Sequence, residues 1–441
     1  LEILDFWEKN NPYEYTINWN SNLEVAIRSI NIILTLLVIQ DKICWDKYKN
    51  LLYLHAKHIY SEIEYSNCCI PNNHVIGEAT ALLILSKILD CKENRKWHRK
   101  AEKILIKYIN IFDSEGISRE NSFSYQFFVT KMYIIALCFM EEKDTLEKMN
   151  HIIIKSLKFL MHTIVNNDEI FNYGDNDNGF LYSIDMEYNI AKDIKQYYEF
   201  FCNQKLSDET NIYKEIFKTF NNKLSIIHKE EDIRDYILSE KIFIYKWNNN
   251  ALFFNTKDIQ GHAHNDSLAI NLIIDNKPIL LDAGTYSYNK STEIRKYYRS
   301  REAHSTILLE DNAIPIGNFR WKNNKKSSGI KKQENDEKIE LNAVIEGTCK
   351  RTIVIYKNKN KIEIIDKAYN EEIKTNWILP IDSIIKNNKL CVNNVIICFS
   401  DKSNINSKKV NMSKEYLQKE EVKSYIVSNQ EKEIKTNIEW E

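Results

Sequence analysis

The hydrophobic period of this chain changes near residue 240, and that change decides what it can fold into. Before it, apolar residues recur at helical spacing. Asn22–Ile39 puts Leu23, Ala26, Ile27, Ile30 and Ile33 on one side of a helix. Similar patterns cover Tyr48–Glu64, Val75–Leu89, Trp97–Ile111, Ser124–Met140, Leu146–Ile164 and Ala191–Phe201, with Asn, Asp and Gly between them. After the change, Lys241–Trp247, Ala251–Asn255, Leu268–Ile274, Ser305–Leu309, Thr352–Tyr356 and Lys361–Lys367 are short and rich in Ile, Val, Phe and Tyr. Several alternate apolar with polar residues, as half-buried strands do. The expectation is an α+β multidomain protein. Its helices pair into a layered ring or toroid, with an ordinary bundle as the alternative, and its strands form an antiparallel sandwich. The charged stretch Ile226–Arg234 reads as the linker, which gives a helical domain over 1–235 and a β-domain over 236–441. A cleft between two such domains is a favoured binding site.

Composition removes other classes. Only 9 Gly and 5 Pro occur in 441 residues, which excludes a collagen-like or linker-rich chain. A net charge of −1 gives no global attraction to nucleic acid or an anionic membrane. A local basic run, Lys290, Arg295, Lys296, Arg299 and Arg301, reads either as a polyanion contact or as a solvated charged loop. The 9 cysteines form no CxxC pair, so a disulfide framework is not expected. The apolar run ending at Ile39 reads as a buried helix, and no transmembrane segment is expected. The first residue is Leu1, so a cytoplasmic protein and an exported one with its signal peptide removed are both open readings. Oligomeric state is left open.

Within the strand-rich half lies Gly261-His262-Ala263-His264-Asn265-Asp266, followed by Leu281-Asp282-Ala283-Gly284 and Arg299-Ser300-Arg301-Glu302-Ala303-His304-Ser305. Adjacent strands can bring His264, Asp282 and His304 together, and imidazole nitrogen with carboxylate oxygen suits a zinc-type ion. A hydrogen-bonded His–Asp pair in a dry core is the competing reading. In the helical half, Asn72-Asn73-His74 precedes the helix that carries Glu78. Arg119-Glu120-Asn121-Ser122-Phe123-Ser124-Tyr125 opens another, and Asn172–Gly179 is a polar turn-rich loop. Trp19, Glu24 and Arg28 surround the first helix. Singly, each has a plain explanation: Asn73 as a helix cap, Tyr125 as packing, the Asp/Asn/Gly loop as a turn.

Taken together, NPYEYTINWNSNLEVAIR, NNHVIGEA, RENSFSY, NYGDNDNG, GHAHND, LLDAGTYSY, REAHST and CKRTIVIYKNKNKIEIIDKA resemble the heparinase II/III family of polysaccharide lyases, which includes related alginate lyases. The segments stand in the family's order over most of the chain. The resemblance implies an (α/α) toroid, here N-terminally truncated, and an antiparallel β-sandwich domain. It implies β-elimination of a polysaccharide containing uronic acid. Asn73, with His74, then neutralises the uronate carboxylate, and Tyr125 and His262 are the acid–base pair. Arg119, Asp175, Arg295 and Arg299 bind substrate. His264, Asp282 and His304 hold a structural Zn2+. The resemblance departs at Ala303-His304-Ser305-Thr306, where Asn is commoner than Ser after the histidine.

The chemistry asks for these residue types independently. Elimination removes the proton beside the uronate carboxylate, and a donor on that carboxylate stabilises the enolate-like transition state, as in an oxyanion hole. A base must take the proton and an acid must protonate the leaving oxygen. Phenols ordinarily titrate near 10 and imidazoles near 6.5, so an imidazole is the readier base at neutral pH and a phenol suits the leaving-group acid. A phenol base would need positive charge nearby, which Arg119 or the 295–301 segment can supply. A non-catalytic glycan-binding or exopolysaccharide-assembly protein on the same scaffold is the second reading. A glycoside hydrolase using Asp175 with Asp177 or Glu78 is a third.

Overall fold

A computed structural model describes residues 1–441 apart from 166–168, 180, 183–188, 203–204, 207–210, 212, 214–235, 310–313, 317–319, 323–324 and 371. The stretch Ile226–Arg234, expected as a linker, lies outside the described residues. The chain divides into two compact units. The first comprises Leu1–Arg119, Gln126–Met161 and Gly179–Asp232. The second comprises Glu120–Tyr125, His162–Asn178 and Ile233–Glu441. A helical N-terminal region is thus followed by antiparallel sheets, and two short segments of the first half belong to the second unit.

The helical region contains α1 (Glu2–Asn10), α2 (Asn22–Ile39), α3 (Lys42–Cys69), α4 (Asn73–Ile88), α5 (Asn94–Tyr108), α6 (Phe123–Leu137), α7 (Lys143–Thr163) and α8 (Ile190–Cys202). Side-chain caps fix several starts. Ser21 accepts from the Glu24 amide, Asp41 from the Ile43 amide and Asn72 from the His74 amide. Helix α4 is buried on nearly every side, as its run VIGEATALLILS dictates, and it packs against α2, α3 and α5. Gly77 permits that packing: a Cβ there would sit 2.5 Å from the Leu23 side chain and 2.9 Å from Met132. Helix α2 has a mean hydropathy of 1.7 over 18 residues, enough by length and composition to cross a bilayer. Its Leu23, Val25, Ala26, Ile30, Ile33 and Leu36 are nevertheless buried against neighbouring helices, as in a core helix. Farther along, the Lys131 ammonium is sealed among the Phe127, Tyr182 and Tyr197 rings and donates to Asp193 Oδ2 at 2.7 Å.

The second unit is built on sheets. Strands β1 (Tyr236–Leu238), β2 (Ile242–Trp247), β3 (Asn250–Asn255), β4 (Ala269–Ile274) and β5 (Lys277–Leu280) form an antiparallel meander. β6 (Ile307–Leu308) edges a four-stranded sheet with β13 (Ile373–Leu379), β18 (Glu420–Asn429) and β17 (Asn404–Met412). An eight-stranded sheet runs in the order β14 (Ile384–Lys386), β15 (Lys389–Val392), β16 (Val395–Phe399), β19 (Glu433–Trp440), β12 (Lys361–Ala368), β11 (Cys349–Tyr356), β10 (Lys338–Ile345) and β9 (Lys331–Glu334). β7 (Ile314–Ile316) and β8 (Arg320–Lys322) form a separate pair. β10 alternates buried with part-exposed residues along its whole length, so one face meets the core. β3 and β4 are buried at every position, covered on both faces. Phe254 and Leu272 of the meander, Leu341, Ile364 and Ile438 of the large sheet, and Trp377 and Tyr425 of the four-stranded sheet share one hydrophobic core.

A buried ion pair ties that core to the loops that matter. Arg351 on β11 binds Asp366 on β12 through Nε and Nη2, at 2.6 and 2.8 Å. Its Nη1 donates to the Leu268 carbonyl at 2.6 Å and the Ser305 carbonyl at 3.1 Å. One guanidinium therefore anchors both the end of the 256–268 loop and the segment after His304. The basic run read as a possible charged loop is in part a short helix, α9 (Thr292–Arg299), capped by Ser291. Among the described residues no two cysteines form a disulfide.

Candidate active site and metal centre

The site in the second unit is assembled around Asp175. Gly174 makes the turn before it, with φ +65°, and a Cβ there would lie 2.4 Å from the Asn121 carbonyl and 2.8 Å from that of His262. Only glycine lets these three strands of backbone meet. The Asp175 amide then donates to the His262 carbonyl at 2.9 Å. Its carboxylate is fully buried. Oδ2 accepts from His262 Nδ1 at 3.2 Å and Oδ1 from His264 Nε2 at 3.0 Å. Arg295, on α9, adds a bidentate pair at 2.6 and 2.8 Å. Burial alone would raise the Asp175 carboxyl. The two imidazoles and the guanidinium outweigh it and hold the group well below the usual carboxylate range.

Tyr125 enters from the first turn of α6, where its amide is capped by Ser122 Oγ at 3.3 Å. Its ring stacks on His262, centroids 3.5 Å apart and planes 14° apart. Its hydroxyl donates to Asp177 Oδ2 at 3.1 Å and lies 3.4 Å from the Tyr288 hydroxyl. Burial, then the charge of Asp177, pushes the Tyr125 phenol above its ordinary value. Tyr288 is pushed up as well, by burial and then by Asp175 and Tyr125. The Arg295 guanidinium lies 4.7 Å over the Tyr288 ring. Tyr125, His262, Asp177 and Tyr288 remain part-exposed, so this cluster is reachable while Asp175 and Arg295 beneath it are sealed.

Beside it, His264, Asp282 and His304 bring one ligand atom each to within 4.8 Å of one another. His304 Nδ1 donates to Asp282 Oδ2 at 2.8 Å, and Asp282 Oδ1 accepts from the Gly284 amide at 2.8 Å. That leaves His304 Nε2 buried with no partner. His264, whose Nε2 is used on Asp175, leaves Nδ1 in the same state. Two orphaned imidazole nitrogens and a carboxylate are a donor set that fits a metal cation. Carboxylate bonds on the far nitrogens are the usual support of histidine ligands. Burial lowers His264 to about 4, which favours the neutral ring a ligand requires.

The sequence-selected residues therefore separate into groups. Tyr125, Asp175, His262 and Arg295 meet in one cluster, and His264, Asp282 and His304 in another joined to it through Asp175. Arg299 is fully buried, its carbonyl accepting from the Asn265 amide at 2.9 Å. Asn73, His74 and Arg119 belong to the first unit. The helix cap before α4 is Asn72, so buried Asn73, the first helical residue, is not spent on capping. Arg119 donates to the Asn110 carbonyl. Sequence reasoning passed over Tyr288, although it lies in the quoted LLDAGTYSY segment, and it gave Asp177 only a hydrolase role. It also missed that Asp175 is a hub whose two oxygens are already occupied. No local pattern distinguishes a sealed aspartate from an open one.

Residues 250–441 match the family model described as heparinase II/III-like, C-terminal. These residues thus carry a heparinase II/III-like C-terminal domain. The match contains the His262, His264, Asp282 and His304 segments. Among solved structures, the chain is similar to heparinase III, with 15% identity, a TM-score of 0.74, and coverage of 100% of this chain and 72% of that one. It is also similar to the heparan sulfate lyase HepC from Pedobacter heparinus, with 16% identity, a TM-score of 0.67, and coverage of 99% and 71%. At these identities the likeness establishes the fold. No curated protein sequence matches the chain.

Proposed function

We propose that this heparinase II/III-like protein is a polysaccharide lyase that cleaves a uronic-acid-containing glycan by β-elimination. We read its architecture as an (α/α) toroid over 1–235 followed by a β-sandwich domain over 236–441. The observation that carries the reading is the Tyr125–His262 stack, with the phenol hydroxyl also next to Tyr288 and Asp177. Two proton-transfer groups of different type, in contact and part-exposed, are what elimination requires.

The geometry favours one division of labour. His262 Nδ1 donates to Asp175, so its Nε2 carries the lone pair and is the base. It takes the proton from the carbon beside the uronate carboxylate. The electron pair becomes the new carbon–carbon double bond, and the glycosidic carbon–oxygen bond breaks. Tyr125, kept protonated by burial and Asp177, gives its proton to the departing oxygen. Asn73, with His74, is assigned to the carboxylate, where an amide donor offsets the developing negative charge. Arg119 remains assigned to substrate, whereas Arg299, fully buried, is assigned to supporting the segment that carries His264, its carbonyl accepting from the Asn265 amide. Asp175 and Arg295 we assign instead to positioning, because each is buried and satisfied by the other.

His264, Asp282 and His304 would hold a Zn2+ that pins the 256–268 loop to the strands beside it. When bound, it supplies rigidity and a fixed charge. The test is incubation with uronate polymers while following the ultraviolet absorbance of an unsaturated uronate. A rise supports elimination. New reducing ends without the chromophore indicate hydrolysis, and binding without cleavage indicates the scaffold reading.

A further inference from the structure

We propose that Arg28, laid flat against Trp7 and Trp19 in the first unit, is a separate anchor for the anionic group, carboxylate or sulfate, of a sugar. Its guanidinium carbon lies 4.3 Å from the Trp7 ring centroid and 5.3 Å from that of Trp19. Nε donates to His55 Nε2 at 3.3 Å, and Nη2 to the Asn18 carbonyl at 3.1 Å. Both partners are neutral. Among the described residues no carboxylate comes within ion-pair distance of Arg28, which is half-buried. Three more deeply buried cations each hold a carboxylate: Arg295 has Asp175, Arg351 has Asp366 and Lys131 has Asp193. Arg28 alone of these four has no carboxylate in contact; the exposed Glu24, one turn earlier on α2, acts on it only at longer range.

The surroundings suit a sugar. Trp7 and Tyr13 are part-exposed, and Tyr13 meets the buried Trp19 edge-on at 5.0 Å. Part-exposed rings beside a cation can hold the apolar face of a pyranose while the planar fork takes its carboxylate or sulfate. A second donor lies in the same cluster. His55 is fully buried, 4.9 Å from Trp19, and its Nε2 is the acceptor for Arg28. The proton is then on Nδ1, a buried atom with no acceptor in the protein. Lys57 adds positive charge, its ammonium 5.9 Å over the Tyr13 ring. The nearby acid, Glu14, is held by the Tyr13 hydroxyl and by His58. A staple between helices needs no such imbalance; an acidic partner for Arg28 or an apolar residue in its place would serve.

The choice of a sugar as the source of the anion rests on the lyase reading; the anion site itself does not. The test uses the full chain carrying Tyr125→Phe, so that nothing is turned over, and follows the indole N–H signals of Trp7 and Trp19 by NMR. Glucuronate, glucose 6-sulfate and glucose are titrated separately. The expected result is a saturable shift at Trp7 with at least one charged sugar and none with glucose. Arg28→Gln should weaken that response at least tenfold. No shift with either charged sugar, or an equal shift with glucose, overturns the proposal, and this comparison needs no folded Arg28 variant. An undiminished response in folded Arg28→Gln also overturns it. The indole shifts do not depend on elimination, so failure of the lyase reading would leave them in place.

Discussion

The Tyr125 phenol lies flat on the His262 imidazole, with centroids 3.5 Å apart, and both project from backbone joined to the Asp175 turn. Removing the hydroxyl leaves the stack and deletes the acid. Tyr125→Phe should fold normally and lose about 10²- to 10⁴-fold in turnover. Steady-state rates on an acidic oligosaccharide, with circular dichroism as the folding control, check this. Unchanged turnover would remove the phenol from the mechanism.

Asp175 neutralises Arg295 and orients two imidazoles at once. Asp175→Asn leaves a buried guanidinium without its counter-charge, and such losses cost about 3–5 kcal/mol. Denaturant unfolding should show a destabilisation of that order, together with loss of turnover. A variant as stable as the parent would mean that Arg295 finds another partner.

The orphaned nitrogens of His264 and His304 predict about one metal ion per chain by elemental analysis. Chelation should lower the melting temperature by roughly 2 °C or more. His304→Ala should lose the ion and become insensitive to chelator. Protein that is metal-free as purified, and indifferent to added zinc, would leave the three residues as a hydrogen-bonded core cluster.

Glu78 gives a pH signature in the helical region. Burial raises its carboxyl from an ordinary 4.5 to about 7, despite hydrogen bonds from Ser66 and Asn22. The folded state therefore prefers the protonated form. Its stabilising contribution is complete below the unfolded pKa and is lost as pH rises through about 7. Between about pH 5 and pH 8 the parent should lose up to about 3 kcal/mol that Glu78→Gln does not. Parallel stability–pH curves for the two proteins would contradict the assignment.

Much of this architecture is written in the sequence, because burial imposes a period. Helix α2 begins and ends where its apolar spacing does, at Asn22 and Ile39. The strands β2, β3 and β4 fall within about two residues of their Ile- and Phe-rich runs. What escaped lacks a period. Strand β17 reads NINSKKVNM, largely exposed and polar, and is held by its ladder to β18. Helix α9 is short and charged, and looked like loop until Ser291 capped it and Asp175 took Arg295. At the site, motif spacing singled out His264, Asp282 and His304. The state of Asp175 is set by Arg295, 120 residues away, and by His262 and His264, 87 and 89 away. Only the fold brings those charges to one carboxylate.

The most direct measurement is the mass and unsaturation of the products from one defined oligosaccharide containing uronic acid. Elimination predicts fragments whose masses sum to that of the substrate, one of them absorbing in the ultraviolet through its new double bond. Fragments that together gain one water, with no such absorbance, would contradict the account.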